Sequence, residues 1–139
     1  MTTAREIMHV GATCIQENET LEAAARTMNE LDVGVLPICG PDDRLHGIIT
    51  DRDIVVKCLA KGKDPKTMPA GQLEQGKPIT IDADADAGQV LRTMEEHKIR
   101  RLPVIDNHRL VGMISEADLA RRLPDEQVGH FVEAVCATA

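Results

Sequence analysis

The sequence predicts an α/β (α+β) fold built from two β-α-β-β-α repeats with pseudo-twofold symmetry, plus an extra C-terminal helix. The first observation is an internal duplication: Ile15 through Val55 reads again, degenerately, from Ile81 to Ala120. Arg26-Thr27-Met28 returns as Arg92-Thr93-Met94 and Leu36-Pro37 as Leu102-Pro103, both 66 residues on. Once one residue is dropped from a Gly/Pro/Asp-rich turn, Arg44-Leu45, Gly47 and Asp53 return as Arg109-Leu110, Gly112 and Asp118, 65 residues on. Such self-similarity marks tandem copies of one supersecondary unit. The second observation is periodicity, with helical stripes alternating with short strand-like runs. The third is size. At 139 residues the chain is one compact body or two small ones, and a lone copy of about 60 residues has a marginal core.

The elements follow in order. Thr3 to Met8 reads as a short helix capped by Thr2 or Thr3, with Glu6 in its first turn. Cys14-Ile15 is a very short strand. Glu19-Thr20 opens a helix carrying Leu21, Ala24, Ala25, Met28 and Leu31 at spacings of 3 and 4, and it stops near Asp32. Val35 to Ile38 is a strand whose Pro37 marks an edge or end. Gly40-Pro41-Asp42-Asp43 turns the chain into the returning strand Leu45 to Thr50. Thr50 or Asp51 caps a helix through Ile54, Val55 and Leu59 to about Lys61.

Residues 1–62 form the first repeat, 63–76 a linker with a helical turn around Ala70 to Glu74, and 77–123 the second repeat. There Ile79 to Ile81 is a strand, and Asp86 caps a helix with Val90, Leu91 and Met94 on its apolar face. Arg101 to Ile105 and Leu110 to Ser115 form a hairpin around Asp106-Asn107-His108, followed by a helix from Ala117 to Leu123. Residues 124–139 hold the last helix, Asp125 to Cys136, with Val128, Phe131, Val132 and Val135 on one face.

Composition narrows the function classes. The chain has no Trp or Tyr and one Phe, Phe131, so base stacking on aromatic platforms is disfavoured. A net charge of -7 with interspersed signs argues against a basic footprint for duplex nucleic acid or a membrane surface. No apolar run marks a signal peptide or membrane span, so a cytoplasmic protein is the default expectation. Cys14, Cys39, Cys58 and Cys136 show no metal-finger spacing. They read as buried or half-buried thiols; Cys14 and Cys39, on strands that are candidates for neighbours, read alternatively as a redox-sensitive pair. A zinc site using the histidines is disfavoured by spacing, so no metal is expected.

Chemistry concentrates where each hairpin strand enters its helix: Gly47-Ile48-Ile49-Thr50-Asp51-Arg52-Asp53 and Gly112-Met113-Ile114-Ser115-Glu116-Ala117-Asp118. A helix start offers N–H groups and a positive dipole end to an anion. The hydroxyl of Thr50 or Ser115 can donate to phosphate, and Asp53 or Asp118, one turn on, can accept from vicinal ribose hydroxyls. The competing reading is a capping box, which needs no ligand but usually carries Glu or Gln where both copies have Asp.

With these motifs the chain resembles a tandem pair of CBS domains, a regulatory module. The matching features are the β-α-β-β-α order, the strands VLPI (35–38) and RRLPVI (100–105), and the exits GIITDRD and GMISEAD, together covering residues 3 to 123. The resemblance implies a sensor rather than an enzyme. It implies binding of AMP, ADP, ATP, NAD or S-adenosylmethionine in two clefts between the copies, with no other cofactor required. Carried over, Thr50 and Ser115 match the phosphate-side hydroxyl, and Asp53 and Asp118 the ribose acid. Leu36, Pro37, Leu102 and Pro103, with Cys14 and Thr80 at the first strands, match the adenine wall. Arg52, Arg100 and Arg101 are candidate phosphate partners, against a solvated surface face. The resemblance also implies a homodimer and an unidentified protein partner, without nucleic acid or membrane. The copies differ where Gly34-Val35 faces Arg100-Arg101, and Arg52 faces Ala117, so the clefts are electrostatically unequal. Two other readings stand beside the sensor: a ligand-free interaction protein and a thiol switch at Cys14 and Cys39.

Overall fold

The computed structural model describes residues 2–10, 13–73 and 78–136, in two compact units: Thr13–Pro78, and Met1–Ala12 with Ile79–Ala139. It is a mixed α/β architecture with one sheet in each unit. The division by packing runs differently from the order of repeats along the chain, because the N-terminal segment folds with the second repeat. Helix α1 (Ala4–Ile7) starts at Thr3, whose N–H donates to Glu6 Oε1. It buries Ala4 and Ile7 in the same cluster as Val90, Leu102 and Leu119. Strand β1 (His9–Val10) follows, an element the sequence does not reveal.

In the first-repeat unit, β2 (Ile15–Gln16) leads to α2 (Leu21–Leu31), capped by Thr20, which accepts from the Ala23 N–H. Of the expected apolar stripe, Leu21, Ala24 and Met28 are buried, whereas Leu31 at the last turn is exposed. Asp32 ends the helix in the left-handed conformation. Strands β3 (Val35–Cys39) and β4 (Leu45–Thr50) complete a sheet in the order β2-β3-β4. Pro37 therefore lies in the central strand rather than at an edge. A proline is tolerated there because β2 pairs only with Ile38 and Cys39, so no ladder partner calls for a donor at position 37.

After β4 the chain makes one turn of α3 (Asp51–Asp53), then a π-helical stretch over Ile54–Cys58 and a 3-10 turn over Leu59–Lys61. The stretch expected as a linker is packed: Met68, Ala70 and Leu73 join the core, and the Leu21 N–H donates to the Met68 carbonyl at 2.9 Å. A 3-10 turn spans Ala70–Leu73; Glu74, the end of the expected turn, lies outside the described residues.

The second-repeat unit repeats this plan with β5 (Ile81–Asp82), α4 (Ala87–His97), β6 (Arg101–Asp106), β7 (Arg109–Ser115) and α5 (Glu116–Arg122). Lys98 ends α4 in the left-handed conformation, 66 residues from Asp32. The hairpin registers shift at Ile38/Cys39 and at Val104/Ile105, again equivalent points. The turns differ: Asn107 and His108 both have positive φ, as a two-residue turn matching strand twist requires.

Two additions distinguish this unit. β1 joins its sheet beyond β7, giving the order β1-β7-β6-β5, with Val10 opposite Gly112. A Cβ at Gly112 would stand 2.9 Å from the His9 carbonyl oxygen and closer still to Met8 Sδ, so glycine is what lets β1 approach. Helix α6 (Asp125–Cys136) packs on α4 and α5. It buries Phe131 and Val135, whereas Val132, expected on the same face, is exposed.

Phe131 is the sole aromatic anchor of that contact, so Phe131→Ala should cost about 3–5 kcal/mol by urea denaturation. A loss below about 1 kcal/mol would show that α6 is not part of the core.

Candidate ligand site at the strand-to-helix junctions

Each hairpin strand hands its last residue to a helix as the N-cap. Thr50 lies across the ladder from Val35, and Ser115 from Arg101. Thr50 Oγ1 accepts from the Asp53 N–H at 3.1 Å, and Asp53 Oδ2 accepts from the Thr50 N–H at 3.0 Å. The same exchange links Ser115 and Asp118, at 3.4 Å and 2.8 Å, and the Ser115 hydroxyl also donates to Asp118 Oδ2 at 3.0 Å. Both junctions are thus reciprocal capping boxes with Asp in the acidic position. The hydroxyl and the carboxylate are brought together in each copy, and each already satisfies a backbone donor of the other.

Both carboxylates are buried, Asp53 at 5% and Asp118 at 3% exposure, and a buried charge must be paired. Lys57 Nζ stands 3.2 Å from Asp53 Oδ1, one turn further along. Asp118 is held from two sides. Arg121 donates to Oδ1 at 2.8 Å, and His9 Nδ1 lies 2.7 Å from Oδ2. Burial alone would push the Asp118 carboxyl up; the His9 hydrogen bond and the two from Ser115 outweigh it and hold the group below its ordinary value. His9, Arg121 and Lys57 are the partners sequence reasoning missed. His9 is separated from Asp118 by 109 positions, beyond any local pattern. The cations one turn on, Asp53 to Lys57 and Asp118 to Arg121, were visible as helical spacings.

The remaining expected residues spread over the same sheets. Leu36 and Leu102 are core residues of their units, and Pro37 and Pro103 are buried beside them. Cys14 precedes β2, level with Pro37, and the exposed Thr80 precedes β5, level with Pro103. Arg52 is exposed in the first turn of α3. Arg101 faces Ser115 across the ladder, whereas Arg100 turns to Glu116 at 3.3 Å and to Cys136 Sγ at 3.5 Å.

Cys14 and Cys39 are joined in a disulfide, with Cα atoms 5.5 Å apart; Cys58 is buried, and Cys136 is exposed rather than covered. The histidines are dispersed: His46 pairs with Glu17, His130 with Glu95, and His97 Nδ1 contacts the Thr93 carbonyl. Among the described residues no group of three or more His, Cys, Asp or Glu side chains is placed to hold a metal, and no helix is long and apolar enough to cross a membrane.

Doubled βαββα units with a hydroxyl and an acid at each strand-to-helix exit define a regulatory-module fold, and comparison with known proteins gives it a family. The family model described as "CBS domain" matches residues 4–59 and again 70–125, and the chain belongs to that family. It is 57% identical over 136 residues to Hypoxic response protein 1 of Mycobacterium tuberculosis, covering 98% of this chain and 95% of that protein. A crystal structure of Hypoxic Response Protein I with two coordinated zinc ions matches with a TM-score of 0.81 and 58% identity, over 88% of this chain and all of that one. The fold also matches CBSX2 in complex with AMP, with a TM-score of 0.75 at 22% identity, over 87% and 95% of the two chains.

The depressed acidity of Asp118 has a pH signature. A carboxylate whose folded pKa lies below its unfolded value contributes stability above the unfolded pKa, about 3.9, and loses it as pH falls through the folded value. Asp118→Asn should therefore be less stable than wild type at pH 7 and converge with it below about pH 4. A stability gap in urea denaturation that stays constant from pH 7 to about pH 2.5 would refute this assignment.

Proposed function

We propose that the protein is a stand-alone CBS-pair sensor, not an enzyme, that binds an adenosine-containing ligand at its strand-to-helix junctions and signals to a protein partner. The observation that carries this reading is the recurrence of hydroxyl and carboxylate in one geometry at both junctions, Thr50 with Asp53 and Ser115 with Asp118. In it, the carboxylate receives the ribose hydroxyls, the hydroxyl and Arg52 or Arg101 face phosphate, and the strand segments at Leu36-Pro37 and Leu102-Pro103, with Cys14 and Thr80, flank adenine. The AMP complex of CBSX2 supports the choice of ligand class. Zinc is coordinated in the Hypoxic Response Protein I structure, but the described residues here offer no three-ligand cluster, so zinc is not part of the proposal.

A homodimer belongs to the same reading. In the first-repeat unit Leu31, Val55 and Leu59 are about half exposed on helical surface, at 46%, 55% and 52%. Apolar surface of this kind is what a second copy would cover.

Calorimetric titration with AMP, ATP, NAD and S-adenosylmethionine tests the ligand. At least one should bind at micromolar to millimolar concentration, and Asp53→Ala should weaken it about tenfold or more, the usual cost of removing a charged hydrogen-bond acceptor. No heat at millimolar concentration, or an unaltered Asp53→Ala titration, would sink the sensor reading. Sedimentation velocity on the same samples reads the dimer, and a monomer removes that part.

The Cys14–Cys39 disulfide favours a second reading, a thiol switch. It closes a loop of sequence separation 25, for which chain entropy gives about 3–4 kcal/mol. Reduction should lower the melting temperature accordingly; oxidised and reduced protein with the same mass and melting point would dispose of the switch.

A further inference from the structure

We infer that His9 is a built-in occupant of the second-repeat ribose site, so that the two junctions differ in whether they accept a nucleoside. The inference rests on the reading of Asp53 and Asp118 as ribose acids.

A carboxylate offers about four lone-pair positions to donors. At Asp118 four donors take them: the Ser115 N–H and hydroxyl and His9 Nδ1 on Oδ2, and Arg121 on Oδ1. Two vicinal hydroxyls need two acceptor positions, so a ribose can dock only by displacing two of these donors. The Ser115 pair is intrinsic to the helix start, being the capping box itself. Arg121 is a largely solvent-exposed side chain, at 64%, which a ligand can push aside at small cost.

His9 is different. It is delivered by strand β1, whose ladder with β7 sets His9 opposite Met113 and Val10 opposite Gly112. Glycine at 112 leaves room for that strand, and α1, immediately before it, is anchored in the core through Ala4 and Ile7. The imidazole is thus held against Asp118 by the fold, at 2.7 Å. At the first-repeat junction the ion-pair partner is Lys57, on the same helical stretch as Asp53 and itself 44% exposed. The junction at Asp53 is the open one, and the junction at Asp118 is closed by the protein's own N-terminal strand.

AMP is the probe. Wild type should bind about one AMP per chain, lost in Asp53→Ala. His9→Ala should gain a second, Asp118-dependent site, and in the Asp53→Ala background it should restore binding by about tenfold to a hundredfold, the equivalent of one hydrogen bond to a charged group. His9→Gln, which keeps a side-chain donor, should stay closed, and its circular dichroism and melting point check that the strand still folds. If wild type binds AMP through Asp53 but His9→Ala adds neither affinity nor stoichiometry, the inference falls and the sensor reading survives. If only the His9→Ala protein binds, the inference stands and the open first junction falls. Absence of binding in every protein overturns both.

Discussion

The structure turns on a buried carboxylate placed one helical turn after a strand. Asp53 and Asp118 each accept the backbone N–H of the residue that ends the strand, while that residue's hydroxyl caps the helix in return. The exchange lets a strand become a helix with no intervening loop residue and without an orphaned buried donor, a cost of about 1–3 kcal/mol otherwise. It also fixes the direction in which each helix leaves its sheet. Around that point the two copies keep the same ladder, with Leu36 opposite Ile49 and Leu102 opposite Ile114, and the same register shift four residues into the strand. Conditions at the junction therefore govern both the fold of a repeat and any ligand chemistry it supports.

A charge so deeply buried must be balanced, and the copies balance it differently. The first uses Lys57, a flexible ion pair worth little in water. The second adds Arg121 and His9 and thereby ties the N-terminal strand to the far end of the chain. The same copy carries α6 over α4 and α5, so its helical surface is covered where Val55 and Leu59 of the first copy stand exposed. Duplication has produced two frameworks of one geometry, and later additions have made them unequal.

Much of this was legible in the sequence. Helical periodicity located α2 and α4, and the repeat offset paired their ends at Asp32 and Lys98. The hydroxyl-to-Asp spacing located both junctions, and the structure shows that the capping-box and ligand readings share the same atoms. What escaped had no local signal. β1 is two residues long, too short for alternation, and is defined by a partner more than a hundred residues away. The packed stretch from Pro65 to Leu73 reads as a linker by composition, yet its carbonyls take the first N–H groups of α2. Pro37 and Pro103 suggested edge strands because the rule concerns missing donors, and the short β2 and β5 leave those positions unpaired within central strands. Amphipathic stripes likewise overstate burial at helix ends, where Leu31 and Val132 meet no neighbour element.

The central claim, one junction open to a ribose and one occupied by His9, is tested most directly by a crystal structure of the protein grown with AMP. The account predicts ribose density at Asp53 beside Thr50, with the His9–Asp118 hydrogen bond intact at its present 2.7 Å. Ribose bound at Asp118 while His9 remains in place, or AMP at Asp118 with Asp53 empty, would contradict it.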